Sequence, residues 1–266
     1  MKTVEVHLPE PSQPSTSPDG SRPVVALLLV LSIVAGSTDV IGYLVLDGLF
    51  TSHITGNLVL LAARLDGGQA QVSKILAIPV YLSAVGLTTL LSDLLRSRGL
   101  APLRFLLLLQ FLLLAGFLGV CVASGPRIDP HAANAILAGM LGVSAMAVQN
   151  ALVQISFEGM PPTAVMTGNV TRFAIHVIEA GRGGDPARLV KTLHRAARTL
   201  SMILGFASGC ALGAACEAAV GMWSLALPAA LALLALAMAI QQRLGAPQQS
   251  MESLSLHMHS RSAGSQ

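Results

Sequence analysis

The chain has 266 residues, 53% of them hydrophobic and only 11% charged, with a mean hydropathy of +0.69, which excludes an ordinary soluble domain. A net charge of +3 and an isoelectric point near 9.0 do not argue for nucleic acid, because the basic residues sit between apolar runs, where they orient membrane helices. The expected class is an all-α polytopic membrane protein whose first partner is the lipid bilayer, and nothing in the residue pattern calls for a cofactor or a metal.

Residues 1–23 carry Pro9, Pro11, Pro14, Pro18 and Pro23 among polar residues, the composition of a disordered tail. The first apolar run follows this tail and is too long for a cleavable signal, so a retained helix is expected. It covers Val24 to Leu46, 23 residues against the ~20 that a span needs, and its outlier is Asp39. After Asp47-Gly48 comes Thr51 to Leu65, apolar but only 15 residues long. At ~1.5 Å per residue it falls short of the roughly 30 Å core, so a re-entrant or broken helix is predicted. A turn at Asp66–Gln69 leads to two spans, Ile75 to Leu95 with Pro79 inside it and Leu103 to Ala123. Arg96, Arg98 and Arg104 lie in the linker between them.

The second unit opens at Ala132 and runs to about Phe157, with Gln149, Asn150 and Gln154 as polar outliers. A short segment, Thr163 to Ile178, is followed by a basic linker over 181–198, then by spans at Thr199 to Val220 and Trp223 to Ile240. The remainder, 241–266, is a polar tail whose His257 and His259 are not read as a metal site. The chain thus reads as two membrane repeats, 24–124 and 132–240, each of the pattern long, short, long, long. Cys121, Cys210 and Cys216 all lie in apolar segments without metal spacing and are expected to be packing residues.

One motif marks both units. Thr51-Ser52-His53-Ile54-Thr55-Gly56-Asn57 returns 112 residues later as Thr163-Ala164-Val165-Met166-Thr167-Gly168-Asn169. Pro161-Pro162 before the second copy predicts a helix starting beside Thr163 and, by analogy, beside Thr51, with the two threonines of each copy on one face. About six spans in two units of odd crossing number imply inverted topologies. Six spans put both termini on one side with thirteen Lys and Arg, against three on the other, so the termini are expected in the cytoplasm. Eight spans give the same charge count, and only segment length favours six.

Gly36-Ser37-Thr38-Asp39 followed by Leu49-Phe50-Thr51-Ser52-His53-Ile54-Thr55-Gly56-Asn57 resembles the signature of the DUF1275 or YoaK-like family of bacterial membrane proteins. The likeness covers nearly the whole region from 24 to 240. It implies a six-helix bacterial inner-membrane protein and supplies no substrate.

Paired short segments inside inverted repeats point to a secondary transporter or channel for a small polar or anionic solute, with a proton as one candidate coupling ion. The residues expected along the pathway are Asp39, His53, Thr55, Gly56, Asn57, Asn150, Thr167, Gly168 and Asn169. Two readings of Thr-Gly-Asn stand side by side: a polar binding surface at a broken helix, or a packing device in which Gly admits a neighbour and Asn pins one helix to another. Asp39, 16 positions into its span, is either a proton or cation carrier or a structural hydrogen-bond acceptor, and Asn150 holds the nearly equivalent place in the second unit. Arg172 either snorkels or binds an anion. Gly205, Gly209 and Gly213 form a GxxxGxxxG face expected to make an internal contact, although an oligomer stays open. A non-transporting scaffold is the competing class. An enzyme is not expected, because Ser52 and His53 are adjacent and no hydrolase, ATP-binding or dinucleotide motif is present.

Overall fold

The computed structural model describes residues 22–63, 72–125, 129–183 and 185–241. The expected tails, the turn at Asp66–Gln69 and the His257/His259 pair lie outside those residues, except that Arg22, Pro23 and Gln241 are already helical. Every regular element among the described residues is a helix. The order is α1 (Arg22–Val45), α2 (Ile54–Ala63), α3 (Val72–Ser97), α4 (Pro102–Ala123), α5 (Ala133–Ser156), α6 (Met166–Gly181), α7 (Pro186–Val220) and α8 (Ala226–Gln241), with a 3-10 turn at Gly221–Leu225 before α8.

Among the described residues, five segments are long and apolar enough to cross a bilayer, and the last of them, Pro186–Gln241, is 56 residues long. A straight helix of that length would run about 84 Å, far beyond the hydrocarbon core. The 3-10 turn breaks it, with Gly221 at φ 57°, and α8 folds back.

Packing along α1 fixes the direction of each helix. Leu27, Leu28 and Leu31, near its start, cluster with Leu103 and Leu106 of early α4, Leu152 and Val153 of late α5 and Ala235 and Ala239 of late α8. Ile41, near its end, clusters with Ala77 of early α3, Phe117 and Cys121 of late α4, Ala135 and Ala138 of early α5 and Leu225 just before α8. Gly205, Gly209 and Gly213 of α7 meet Leu29, Ile33 and Ser37 in that order. Hence α1, α4 and α7 run one way and α3, α5 and α8 the other.

The α1–α7 contact is a close backbone approach. A Cβ on Gly209 would collide with the Ile33 carbonyl, and one on Gly36 with the Phe206 carbonyl, so glycine faces glycine-rich backbone across an internal seam. The hydroxyls of Ser37 and Thr38 bond back to carbonyls of their own helix, at 2.8 Å to Ile33 and 2.7 Å to Val34, which lets small polar residues sit in this apolar contact.

Three helix starts differ from those the sequence predicts. The short helices begin at Ile54 and Met166, three residues after Thr51 and Thr163, so the paired threonines do not share a helix face. The cause is long-range: the backbone before α2 is tied to α1. The basic linker over 181–198 is not a linker either, because α7 is helical from Pro186. Proline suits that first turn, and the Arg, Leu, Lys and Ala residues after it are good helix formers.

Candidate functional site

Between α1 and α2 the chain turns back on itself. Asp47 (φ 49°) and Gly48 (φ 81°) reverse it, and the Gly48 N–H bonds the Tyr43 carbonyl at 2.8 Å, which closes the end of α1. Residues 49–53 then descend along α1 as far as Asp39, six residues or about 9 Å inside the helix end. There the Asp39 carboxylate collects them. The N–H groups of Thr51 and Ser52 donate to Oδ1 at 2.7 and 2.8 Å, and the Thr51 hydroxyl donates to the same oxygen at 3.1 Å. His53 Nδ1 pairs with Oδ2.

Asp39 is 3% exposed and the His53 side chain 36%, so the acid is buried and its partner reaches the open. The His53 ring lies edge-on to Phe50 and to Phe206 of α7, with centroids 5.9 and 5.6 Å apart. The Thr51 methyl fills the space beside Gly42 of α1 and Gly142 of α5, where added Cβ atoms would lie 3.0 Å from it. After α2 the chain returns to the end it left, for Lys74 at the start of α3 places its Nζ 3.0 Å from the Asp47 carbonyl. That buried ammonium also lies beside the negative end of the α1 dipole.

Asn57 explains the next part of the motif. Its side chain is fully buried, accepts from the Phe50 N–H at 2.9 Å and donates to the Phe50 carbonyl at 2.8 Å. One amide thus engages both backbone groups of a residue seven positions back, as a neighbouring strand would. Asn169 makes the same reach, donating to the carbonyl of Pro162 at 2.7 Å, also seven positions back. Proline has no N–H to return, and the buried Asn169 Oδ1 has no partner among the described residues.

The remaining predicted residues divide into the same two groups. Thr55 and Thr167 are exposed on the outer faces of α2 and α6, while Thr51 and Thr163, outside the predicted set, are fully buried. A Cβ on Gly56 would lie 2.9 Å from the Phe50 ring, whereas one on Gly168 would meet only Val165 at 3.9 Å. Asn150 donates to the Tyr81 hydroxyl at 2.9 Å, and it is Gln149 that reaches the motif. Gln149 Nε2 donates to the Thr163 hydroxyl at 2.9 Å and to the Leu31 carbonyl at 2.8 Å, and its Oε1 accepts from Gln110 at 2.7 Å. By its partner, Gln149 is therefore the counterpart of Asp39. Eight residues of α1, about 12 Å, separate the two clasps, as Leu31 from Asp39.

A further polar feature lies at the end of the bundle where α5 finishes. Arg172 and His176 of α6 and Lys191, Arg195 and Arg198 of α7 line a cleft of about 880 Å³, together with Pro161, Pro162 and Thr199. Sequence separation alone hides this meeting, although the spacing of four between Arg172 and His176 already places both on one helix face.

Helices of spanning length with apolar outer faces and polar groups gathered inside define a polytopic all-α membrane protein. The chain belongs to the family described as "Protein of unknown function (DUF1275)", whose model matches residues 27–238. No curated protein and no solved structure matches it.

Proposed function

We propose that this protein is a proton-coupled secondary transporter of the cytoplasmic membrane, carrying a small polar or anionic solute and built from two inverted repeats, α1–α4 and α5–α8. The packing supports an inverted pair. Where α1 contacts α7 and α8, its counterpart α5 contacts α3 and α4, and α2 against α3 is matched by α6 against α7. Helices α1 and α5 run in opposite directions, so their short helices dip from opposite ends, as the repeats of alternating-access carriers do. The excess of Lys and Arg on the side of the termini favours a cytoplasmic location for both.

The observation that carries the reading is the difference between the clasps. In the first repeat the re-entrant loop is held by an ionisable pair, Asp39 and His53, and in the second by neutral Gln149 and Thr163. A proton passed through the partly open His53 onto Asp39 neutralises the carboxylate that collects the loop, which weakens one clasp, leaves the other unchanged and gives loading of a proton a mechanical consequence in one half only. Hydrolysis fits the site poorly. The Ser52 hydroxyl lies 3.3 Å from His53 Nδ1, the same nitrogen that pairs with Asp39, whereas a hydrolytic triad uses opposite ring nitrogens for nucleophile and acid.

A non-transporting scaffold is the second reading, favoured by the fact that both Asp39 oxygens and the whole Asn57 amide are engaged by the protein's own chain. Proteoliposomes holding a pH-sensitive dye decide between them. Challenged with mixtures of amino acids, sugars and organic anions, a transporter shows solute-dependent proton influx that Asp39→Asn abolishes. If no mixture moves protons and Asp39→Asn behaves as the parent, the scaffold reading replaces transport. In a background without native cysteines, single cysteines at Gln69 and Asp185 that label from opposite sides support the inversion, and labelling from one side refutes it.

A further inference from the structure

We infer that the cleft between α6 and the first half of α7 is a binding site for a phosphate-bearing anion. This inference stands apart from transport and from the Asp39 clasp, since none of its residues belongs to either.

Two helices supply the charge independently. Arg172 and His176, four apart, share one face of α6, while Lys191, Arg195 and Arg198 follow one another at separations of four and three along α7. The two rows line the same cleft, and Glu158 is the one carboxylate among the described lining residues. Orienting helices in a bilayer requires only that basic residues lie on the correct side. It does not require them to converge, and convergence raises their mutual repulsion, so it calls for a compensating anion. The space, about 880 Å³, lies within the range of roughly 300–1,000 Å³ usual for small-ligand sites.

The donor set is specific as well. Three guanidinium groups offer the planar forks that match phosphate oxygens, and the ammonium of Lys191 adds a point charge. The His176 ring is part of the same lining, and its Nδ1 has no hydrogen-bond partner among the described residues. Pro161 and Pro162 make part of the lining rigid and contribute no competing N–H. The same phosphate chemistry is presented by a soluble phosphate ester and by the headgroup of an anionic lipid, and Arg172 and Arg195 are exposed enough to meet either.

The test uses the full chain in two arms. In the first, protein in phosphatidylcholine nanodiscs is titrated with labelled inorganic pyrophosphate. In the second, native mass spectrometry counts phosphatidylglycerol retained from an equal mixture with phosphatidylcholine. The expected result is one equivalent held in at least one arm, weakened roughly tenfold or more by the paired change Arg172→Gln and Arg195→Gln, with partial recovery in the Lys versions. Arg188→Gln, on the same helix but off the lining, leaves binding unchanged. Pyrophosphate binding identifies a soluble ligand, and retention of phosphatidylglycerol without pyrophosphate binding identifies a headgroup. The proposal is overturned if neither probe is held, or if Arg188→Gln weakens binding as much as the paired change.

Discussion

The two Thr-Gly-Asn copies share their local geometry at the asparagine, and the reach of that side chain differs through one residue. In each, the Asn N–H bonds a carbonyl four residues back at 3.3 Å, and the Asn side chain reaches seven residues back. At that seventh position the first copy has Phe50 and the second Pro162. Phe50 offers an N–H, completing the pair with Asn57, and an aromatic ring that closes over Gly56. Pro162 offers neither, so the Asn169 oxygen has no partner among the described residues and a Cβ on Gly168 would meet only Val165 at 3.9 Å. A repeated motif is therefore not a repeated set of constraints. The first copy is over-determined by its loop, and the second has slack beside the basic cleft that Pro162 helps to line.

The comparison can be broken at several points. The largest effect is expected for Asp39→Ala, which leaves two buried N–H groups without an acceptor and removes the carboxylate beside His53. We expect a loss of about 3–5 kcal/mol, read from the unfolding midpoint in detergent, and a loss below ~1 kcal/mol would show that the loop is held by other contacts. Next come the asparagines. Asn57→Ala strands two backbone groups and should cost about 2–4 kcal/mol, whereas Asn169→Ala strands one and removes an unpaired oxygen, for about 1 kcal/mol or less. Equal costs would refute the role given to Pro162.

The glycines should differ in sign. Gly56→Ala drives a methyl against a Phe50 ring that packs on Tyr43 at 4.8 Å and cannot withdraw freely, at a cost of about 1–3 kcal/mol. Gly168→Ala meets little and should gain up to ~1 kcal/mol from helix propensity. The smallest change is Pro162→Ala, expected within about 1 kcal/mol of neutral because the new N–H bond offsets the loss of proline's rigidity. Its signature is coupling: in that background Asn169→Ala should cost about 1 kcal/mol more than in the parent, measured as a double-mutant cycle.

The architecture was legible in the sequence wherever one physical variable decided it. Run length and apolarity located the spans, a lone carboxylate among apolar residues had to lie inside, and glycines spaced by four had to form a close contact. What remained hidden depended on partners distant in the chain. Helices were expected beside Thr51 and Thr163, but the N–H groups of Thr51 and Ser52 bond Asp39, twelve and thirteen residues away, so α2 starts only at Ile54. Asn150 was matched to Asp39 by counting residues, whereas the loop after α5 places Gln149 against Thr163. The start of α7 has a sequence signal, Asp185-Pro186 before a run of good helix formers, which the density of basic charges masks as a linker.

Helix α7 has 35 residues, about 52 Å, and no break along its length. Its first turns help to line the basic cleft, and its later turns lie glycine-first against α1. A stiff rod with no hinge couples those two regions. Leu29 and Val40 of α1 seat against Gly205 and Gly213, so α7 is keyed to α1 along this contact, and its far end lies beside the Gly221 reversal. Phe206 sits in this contact one residue from Gly205 and touches the His53 ring, so movement of the rod bears on the ring that holds the Asp39 clasp.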